Sequence, residues 1–127
     1  MDSYSPAEVT ARTGFSIDTI RYYERIGLLH EVGRTAGGRR RFTDEDLQFL
    51  QLLRCLRDTD MPIADMLRFV GLLRAGEHTS AERLAVLLEH EKRVTEQIER
   101  LHGHQEHIRM KIAHYRGAVE QQDLATV

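Results

Sequence analysis

Two clusters carry the chemistry in this chain. The first is Thr19-Ile20-Arg21-Tyr22-Tyr23-Glu24-Arg25. Arg21 and Arg25 stand four apart, so on a helix they share one face, bracketed by Tyr22 and Tyr23. Guanidinium groups and phenolic hydroxyls donate hydrogen bonds to phosphate, and arginine also grips a guanine edge with two parallel bonds. One tyrosine, Tyr23 above all, can instead pack into a core with Ile20. The second cluster is Arg39-Arg40-Arg41, directly after Gly37-Gly38. Along a strand Arg39 and Arg41 share one face and Arg40 points to the other. At least one of the three is expected to meet a phosphate backbone or a minor groove.

Cys55 is the one cysteine. A single thiol excludes a disulfide framework within the chain and a multi-cysteine zinc site, and it suits a reducing compartment. Flanking Arg54 and Arg57 can raise its thiolate fraction, whereas tight apolar burial would make it a small core hydrophobe. Of the seven histidines, His104 and His107 share a helical face and His114 lies two turns on. A metal would need further ligands there, so no metal or cofactor is expected. Nor is an enzyme: the chain has no glycine-rich phosphate loop and no nucleophile motif.

The whole-chain charge of −2 over 127 residues argues mildly against nucleic acid. Position changes that reading. Residues 12–43 hold seven arginines against Asp18, Glu24 and Glu31, a net +4, while residues 44–127 carry −4. A basic window in an acidic chain reads as a local anion-binding face. The apolar runs are far too short to span a bilayer and no leader pattern is visible, so the expected setting is the cytoplasm.

The elements that position these clusters are legible in outline. Ser5-Pro6-Ala7-Glu8 starts a helix with a capping box and proline in the first turn. Gly14 permits a turn, Phe15 anchors it, and Ser16 caps a second helix over 17–26. Such a pair is a helix-turn-helix, whose second helix enters the major groove. Residues 28–32 and 39–42 are expected to pair as strands around a turn at 33–38, forming a basic wing. Thr43 caps a third helix to about Asp58, lined by Leu47, Leu50, Leu53 and Leu56; Pro62 opens a fourth to about Ala75. Thr79-Ser80-Ala81-Glu82 is expected to be another capping box.

Beyond it, positions at alternating steps of three and four read Leu84, Leu87, Glu91, Val94, Ile98, Leu101, Gln105, Ile108, Ile112, Tyr115 and Val119. Nine of the eleven are apolar over five heptads, the pattern of a coiled-coil seam. A helix over 81–116 would be roughly 54 Å long, too long to bury that stripe on a small domain, so it calls for a second copy. The interface is expected at Leu84, Leu87, Val94, Ile98, Leu101, Ile108, Ile112 and Tyr115. The organisation predicted is a winged helix-turn-helix head over 1–76, a dimerisation helix over 77–117 and a flexible tail over 118–127.

Taken in order, the helix-turn-helix, Ile20-Arg21-Tyr22-Tyr23-Glu24, Gly27-Leu28-Leu29, Gly38-Arg39-Arg40-Arg41-Phe42-Thr43 and the long terminal helix resemble the MerR family of bacterial transcription regulators. The resemblance covers roughly residues 4–115. It implies a mainly α, winged-helix fold that dimerises through an antiparallel coiled coil. It places Ser16, Thr19, Arg21 and Tyr22, with Tyr23 beside them, at DNA-contacting positions, and Arg40 at the position of the wing arginine. It also implies a dimer that distorts an over-long promoter spacer so that RNA polymerase engages both promoter elements. One departure is His30-Glu31-Val32, where many members carry a proline. The stretch around Cys55 is similar to a small branch without an effector domain (NmlR/AdhR-like), which implies a response to aldehydes or thiol stress. The competing readings are an effector-independent or architectural DNA binder with an inert Cys55, and a coiled-coil adaptor whose basic head binds no DNA.

Overall fold

The computed structural model describes residues 3–125. By its internal contacts the chain divides into two units, residues 1–86 and 87–127, so the first unit runs ten residues beyond the boundary expected at 76. In this first unit α1 (Pro6–Thr13) begins on Ser5, whose Oγ accepts from the Glu8 N–H while the Glu8 carboxylate accepts from the Ser5 N–H, each at 3.2 Å. Gly14 ends α1 at φ 78°, and a Cβ there would sit 3.0 Å from the Arg54 guanidinium. Both facts restrict the turn to glycine. Ser16 Oγ then accepts from the Thr19 N–H at 3.1 Å and starts α2 (Ile17–Arg25). Caps of this kind contribute about 1 kcal/mol each.

Leu28 and Leu29 do not form the strand expected of residues 28–32. Both side chains are fully buried, and both amides donate to the Tyr23 carbonyl, at 2.9 and 3.0 Å. A strand sends alternate side chains to opposite faces, so consecutive leucines that must both enter one core cannot follow it. Wing pairing is confined to a single bridge between Arg34 and Arg40, with Thr35 N–H donating to the Arg39 carbonyl and Arg41 N–H to that of Gly33. The chain after the wing pairs elsewhere. β1 (Ser3–Tyr4) and β2 (Phe42–Thr43) form a two-stranded antiparallel sheet with Ser3 opposite Thr43 and Tyr4 opposite Phe42, a pairing the sequence did not signal.

Thr43 caps α3 (Asp44–Asp58) as expected, and the cap is reciprocal, with Asp46. Asp60, at φ 65°, turns the chain into α4 (Ile63–Ala75). Short polar side chains tolerate that conformation best after glycine. Val9, Phe15, Ile20, Phe42, Leu50, Leu53, Met66 and Val70 form the centre of one core, each at most 1% exposed. Burying a Leu or Phe contributes about 1.5–3 kcal/mol.

The capping box expected at Thr79 is absent. Thr79 closes a short 3-10 turn (Glu77–Thr79), and its hydroxyl donates to the carbonyls of Leu72 and Gly76 rather than serving Glu82. Buried against α4, Thr79 is better used satisfying that helix's end. The last helix, α5 (Ser80–Ala125), has 46 residues, roughly 69 Å. It continues through Gly117 to Ala125, so the flexible tail expected over 118–127 is helical as far as the described residues reach. Within the second unit its apolar side chains lie open: Ile98 is 50% exposed, Leu101 67% and Ile108 57%.

Candidate nucleic-acid interface

Helix α2 sorts its side chains by face. Ile20 and Tyr23 are buried, while Asp18, Arg21, Tyr22 and Arg25, spaced by three and four, are exposed. Tyr23 is therefore a core residue rather than one of the expected DNA contacts: at 4% exposure its ring meets Phe15 edge-on at 5.4 Å. Burial pushes its phenol up, with the nearby Arg57 opposing that shift. Tyr22, on the other side, is 43% exposed and carries the Arg25 guanidinium over its ring at 5.6 Å. That stacking fixes a flat cationic surface while leaving the guanidinium donors at its rim. Ser16 and Thr19 stand at the start of this face, where the Ser16 hydroxyl also donates to that of Thr19 at 3.0 Å. The helix N-terminus adds partial positive charge there.

The three wing arginines do not share one role. Arg39 is exposed. Arg40 turns toward α2 and meets Glu24 at 2.6 Å, both side chains largely buried. Arg41 reaches the opposite way and donates to the Ser3 carbonyl and hydroxyl, tying the wing's base to β1. Of the three, Arg39 alone has the placement expected of an unengaged phosphate contact. The sequence reading missed Arg34, whose Nη1 donates to the Gly38 carbonyl at 2.9 Å. Arg21, Arg34, Arg39 and Arg40 line one groove with Pro6 and Gly38, joining the α2 face to the wing. Arg34 was visible as part of the basic window, but nothing in its neighbours marked its direction.

The root of the wing holds a second pair that composition could not reveal. His30 Nδ1 lies 2.8 Å from the Glu31 carbonyl, and Nε2 lies 2.5 Å from Asp46. Both ring nitrogens thus face acceptors, and only the imidazolium has a proton for each. Burial pulls the His30 imidazole down, but the Glu31 carbonyl and the Asp46 carboxylate together hold it above its ordinary value. Arg74 of α4 donates to the Gly27 and Leu28 carbonyls and anchors the same root.

Cys55 is exposed on α3, not part of the core. The flanking arginines, expected to act on the thiol, are directed elsewhere. Arg54 pairs with Asp58 at 2.8 Å, and the Arg54 and Arg57 guanidinium groups lie over the Phe15 ring at 5.4 and 5.6 Å. The ring face attracts both cations, and for Arg54 it adds to the Asp58 ion pair. Among the described residues no group of three or more His, Cys, Asp or Glu side chains is placed to hold a metal ion. No helix among them is long and apolar enough to cross a membrane.

A capped helix-turn-helix whose second helix presents arginine and tyrosine beside an arginine-lined wing defines a winged-helix DNA-binding protein. Residues 4–70 match the MerR HTH family regulatory protein profile. The chain belongs to the MerR family and is a DNA-binding transcriptional regulator. It is 40% identical over 116 residues to an uncharacterised HTH-type transcriptional regulator of Haemophilus influenzae, spanning 91% of this chain and 86% of that one. It is 30% identical over 90 residues to the HTH-type transcriptional regulator AdhR of Bacillus subtilis, covering 71% of this chain and 64% of AdhR. Among solved structures, HiNmlR, a MerR family regulator lacking the sensor domain and bound to promoter DNA, superposes with a TM-score of 0.82 at 39% identity, covering 92% of this chain and 93% of HiNmlR. A MerR-type regulator from Listeria monocytogenes superposes at 0.80 with 32% identity, over 88% and 85% of the two chains.

Proposed function

We propose that two copies of this chain pair through α5 as an antiparallel coiled coil and bind a near-palindromic promoter as a cytoplasmic regulator. The observation that carries the DNA-binding geometry is the exposed face of Arg21, Tyr22 and Arg25, continuous with the groove of Arg34 and Arg39. Ser16 and Thr19 join it at the start of α2. The pairing rests on the open seam of α5: Leu84, Leu87, Ile98, Leu101, Ile108, Ile112 and Tyr115 are all exposed, with Val94 half-buried. That much apolar surface on one helix favours a second copy. HiNmlR, similar over nearly its whole length and bound to promoter DNA, supports the same reading. As the resemblance to the MerR family implies, the dimer would distort an over-long promoter spacer so that RNA polymerase can engage both promoter elements.

The switch proposed is Cys55. Its exposure leaves the thiol accessible, and AdhR and HiNmlR lie among the relatives. In the reaction with an aldehyde the S–H adds across the carbonyl: a C–S bond forms, the C–O π bond breaks, and the proton passes to oxygen, giving a hemithioacetal. The added bulk on α3 would then bias the packing between the DNA-binding head and the partner's coiled coil. Two experiments test these readings. The full chain, used to select duplexes from a random-centre pool, should enrich a near-palindrome whose binding weakens steeply with salt. A promoter reporter should respond to aldehydes with the parent and stay silent with Cys55→Ser; normal induction of Cys55→Ser would remove Cys55 as the switch, and a parent that answers no aldehyde or thiol oxidant would leave an effector-independent regulator.

A further inference from the structure

The wing is closed on itself by hydrogen bonds among residues 33–41 but buries no side chain of its own between Gly33 and Arg39. From Gly33 to Arg39 every residue is exposed, and one isolated bridge is its only strand pairing. Two groups bind it to the recognition helix, and both are bound by Glu24. One carboxylate oxygen meets Arg40 Nη1 at 2.6 Å; the other accepts from the Val32 N–H at 3.5 Å. Val32 lies at the near end of the wing and Arg40 at the far end, so one side chain of α2 grips both sides of the loop. The Glu24 and Arg40 side chains are only 14% and 19% exposed, and their contact is an ion pair rather than an aligned hydrogen bond: neither contacting atom has a hydrogen-bond partner. Separating them would leave two desolvated charges unpaired, a strongly unfavourable change.

We propose that Glu24 and Arg40 form a latch that sets the position of the wing against α2, making both positioning residues for DNA binding. This rests on the promoter-binding reading above. Arg40 is then not a phosphate contact itself. Its charge is neutralised by Glu24, and the latch holds Arg34 and Arg39 at the distance from Arg21 that lets helix and wing engage the duplex together.

The latch makes a prediction opposite in sign to simple charge counting. Glu24 is an anion beside a DNA-binding face, so removing it should strengthen binding if charge alone mattered. If it positions the wing, Glu24→Gln should weaken binding on the order of tenfold, the scale of one lost well-placed contact. The slope of affinity against salt should flatten as well, because fewer phosphates are neutralised. Glu24→Asp keeps the charge but shortens the reach, and should weaken binding in the same direction. Arg40→Met should weaken it too, and Glu24→Gln/Arg40→Met should be no worse than the poorer single variant, as one shared interaction requires.

The duplex for these measurements is one selected by the parent chain from a random-centre pool, with the active fraction of each variant fixed by stoichiometric titration. Amide exchange in the free protein supplies a readout that needs no DNA: residues 33–41 should exchange faster in Glu24→Gln while α3 is unchanged. Glu24→Gln binding as well as or better than the parent, weakening with an unchanged salt slope, or leaving wing exchange unaltered would each refute the latch. A parent that selects no duplex would refute the promoter-binding reading itself.

Discussion

The head and the long helix solve the burial of apolar side chains in opposite ways. In the head, Phe15, Leu50 and Leu53 vanish into a core shared by four helices and a two-stranded sheet. In α5, Ile98, Leu101 and Ile108 repeat at similar density yet lie half open or more. Composition does not separate the two regions. Spacing does: the head's apolar residues converge from several short elements, whereas those of α5 run in a line along one element and, among the described residues, lie largely exposed. A region of the first kind can fold alone, and a region of the second kind is complete only when something lies along it.

That contrast can be broken from either side. The largest effect is expected at Phe15, fully buried beneath two guanidinium groups and the edge of Tyr23. Phe15→Ala should cost the head about 3–5 kcal/mol, read as a lower midpoint in denaturant; a shift near zero would mean that the turn does not anchor the core. Next comes Ile98→Glu, which places a charge in the α5 seam. It should turn a dimer into a monomer by light scattering at micromolar concentration while the head's thermal transition is retained. A parent chain already monomeric there would end the seam argument. Arg21→Ala should then cost about 1–3 kcal/mol of DNA affinity without altering stability, as removing one guanidinium from a contact face does.

The smallest effect is a pH dependence confined to the head. The folded His30 is held above its ordinary value, so the stability it contributes is fully present below the unfolded imidazole's pKa. It is lost as pH rises through the folded value. The parent should therefore be more stable relative to His30→Gln at pH 6 than at pH 8, by a modest margin because the side chain is half exposed. Equal differences at both values would show that the His30–Asp46 contact does not depend on the imidazole proton.

Local signals carried much of this molecule. The caps at Ser5, Ser16 and Thr43, the turn at Gly14 and the 3-4 rhythm of α5 depend on residues close in sequence, and each is visible as a pattern. The exposed α2 face follows from the same periodicity. What escaped was set by partners distant in the chain. Thr79 reaches back to the end of α4, Arg41 reaches across to Ser3, and Arg40 turns to Glu24. Three adjacent arginines look alike in one dimension, and only the placement of β1 and α2 around them gives each a different task. The wing strands failed for a related reason: Leu28 and Leu29 look like strand residues until the open carbonyl at the end of α2 is counted as their hydrogen-bond partner.

Asp46 is restricted in what can replace it. Its Oδ2 accepts from the Thr43 amide to begin α3, while Oδ1 faces His30. Both oxygens must accept at once, and only a carboxylate does so. Asparagine, usually the mildest exchange for aspartate, would keep one acceptor and present an amide donor to the other partner. It could serve only beside a residue at position 30 that accepts rather than donates. The start of α3 and the root of the wing are thereby bound into one unit of variation: a change at 46 is neutral only in the company of a matching change at 30.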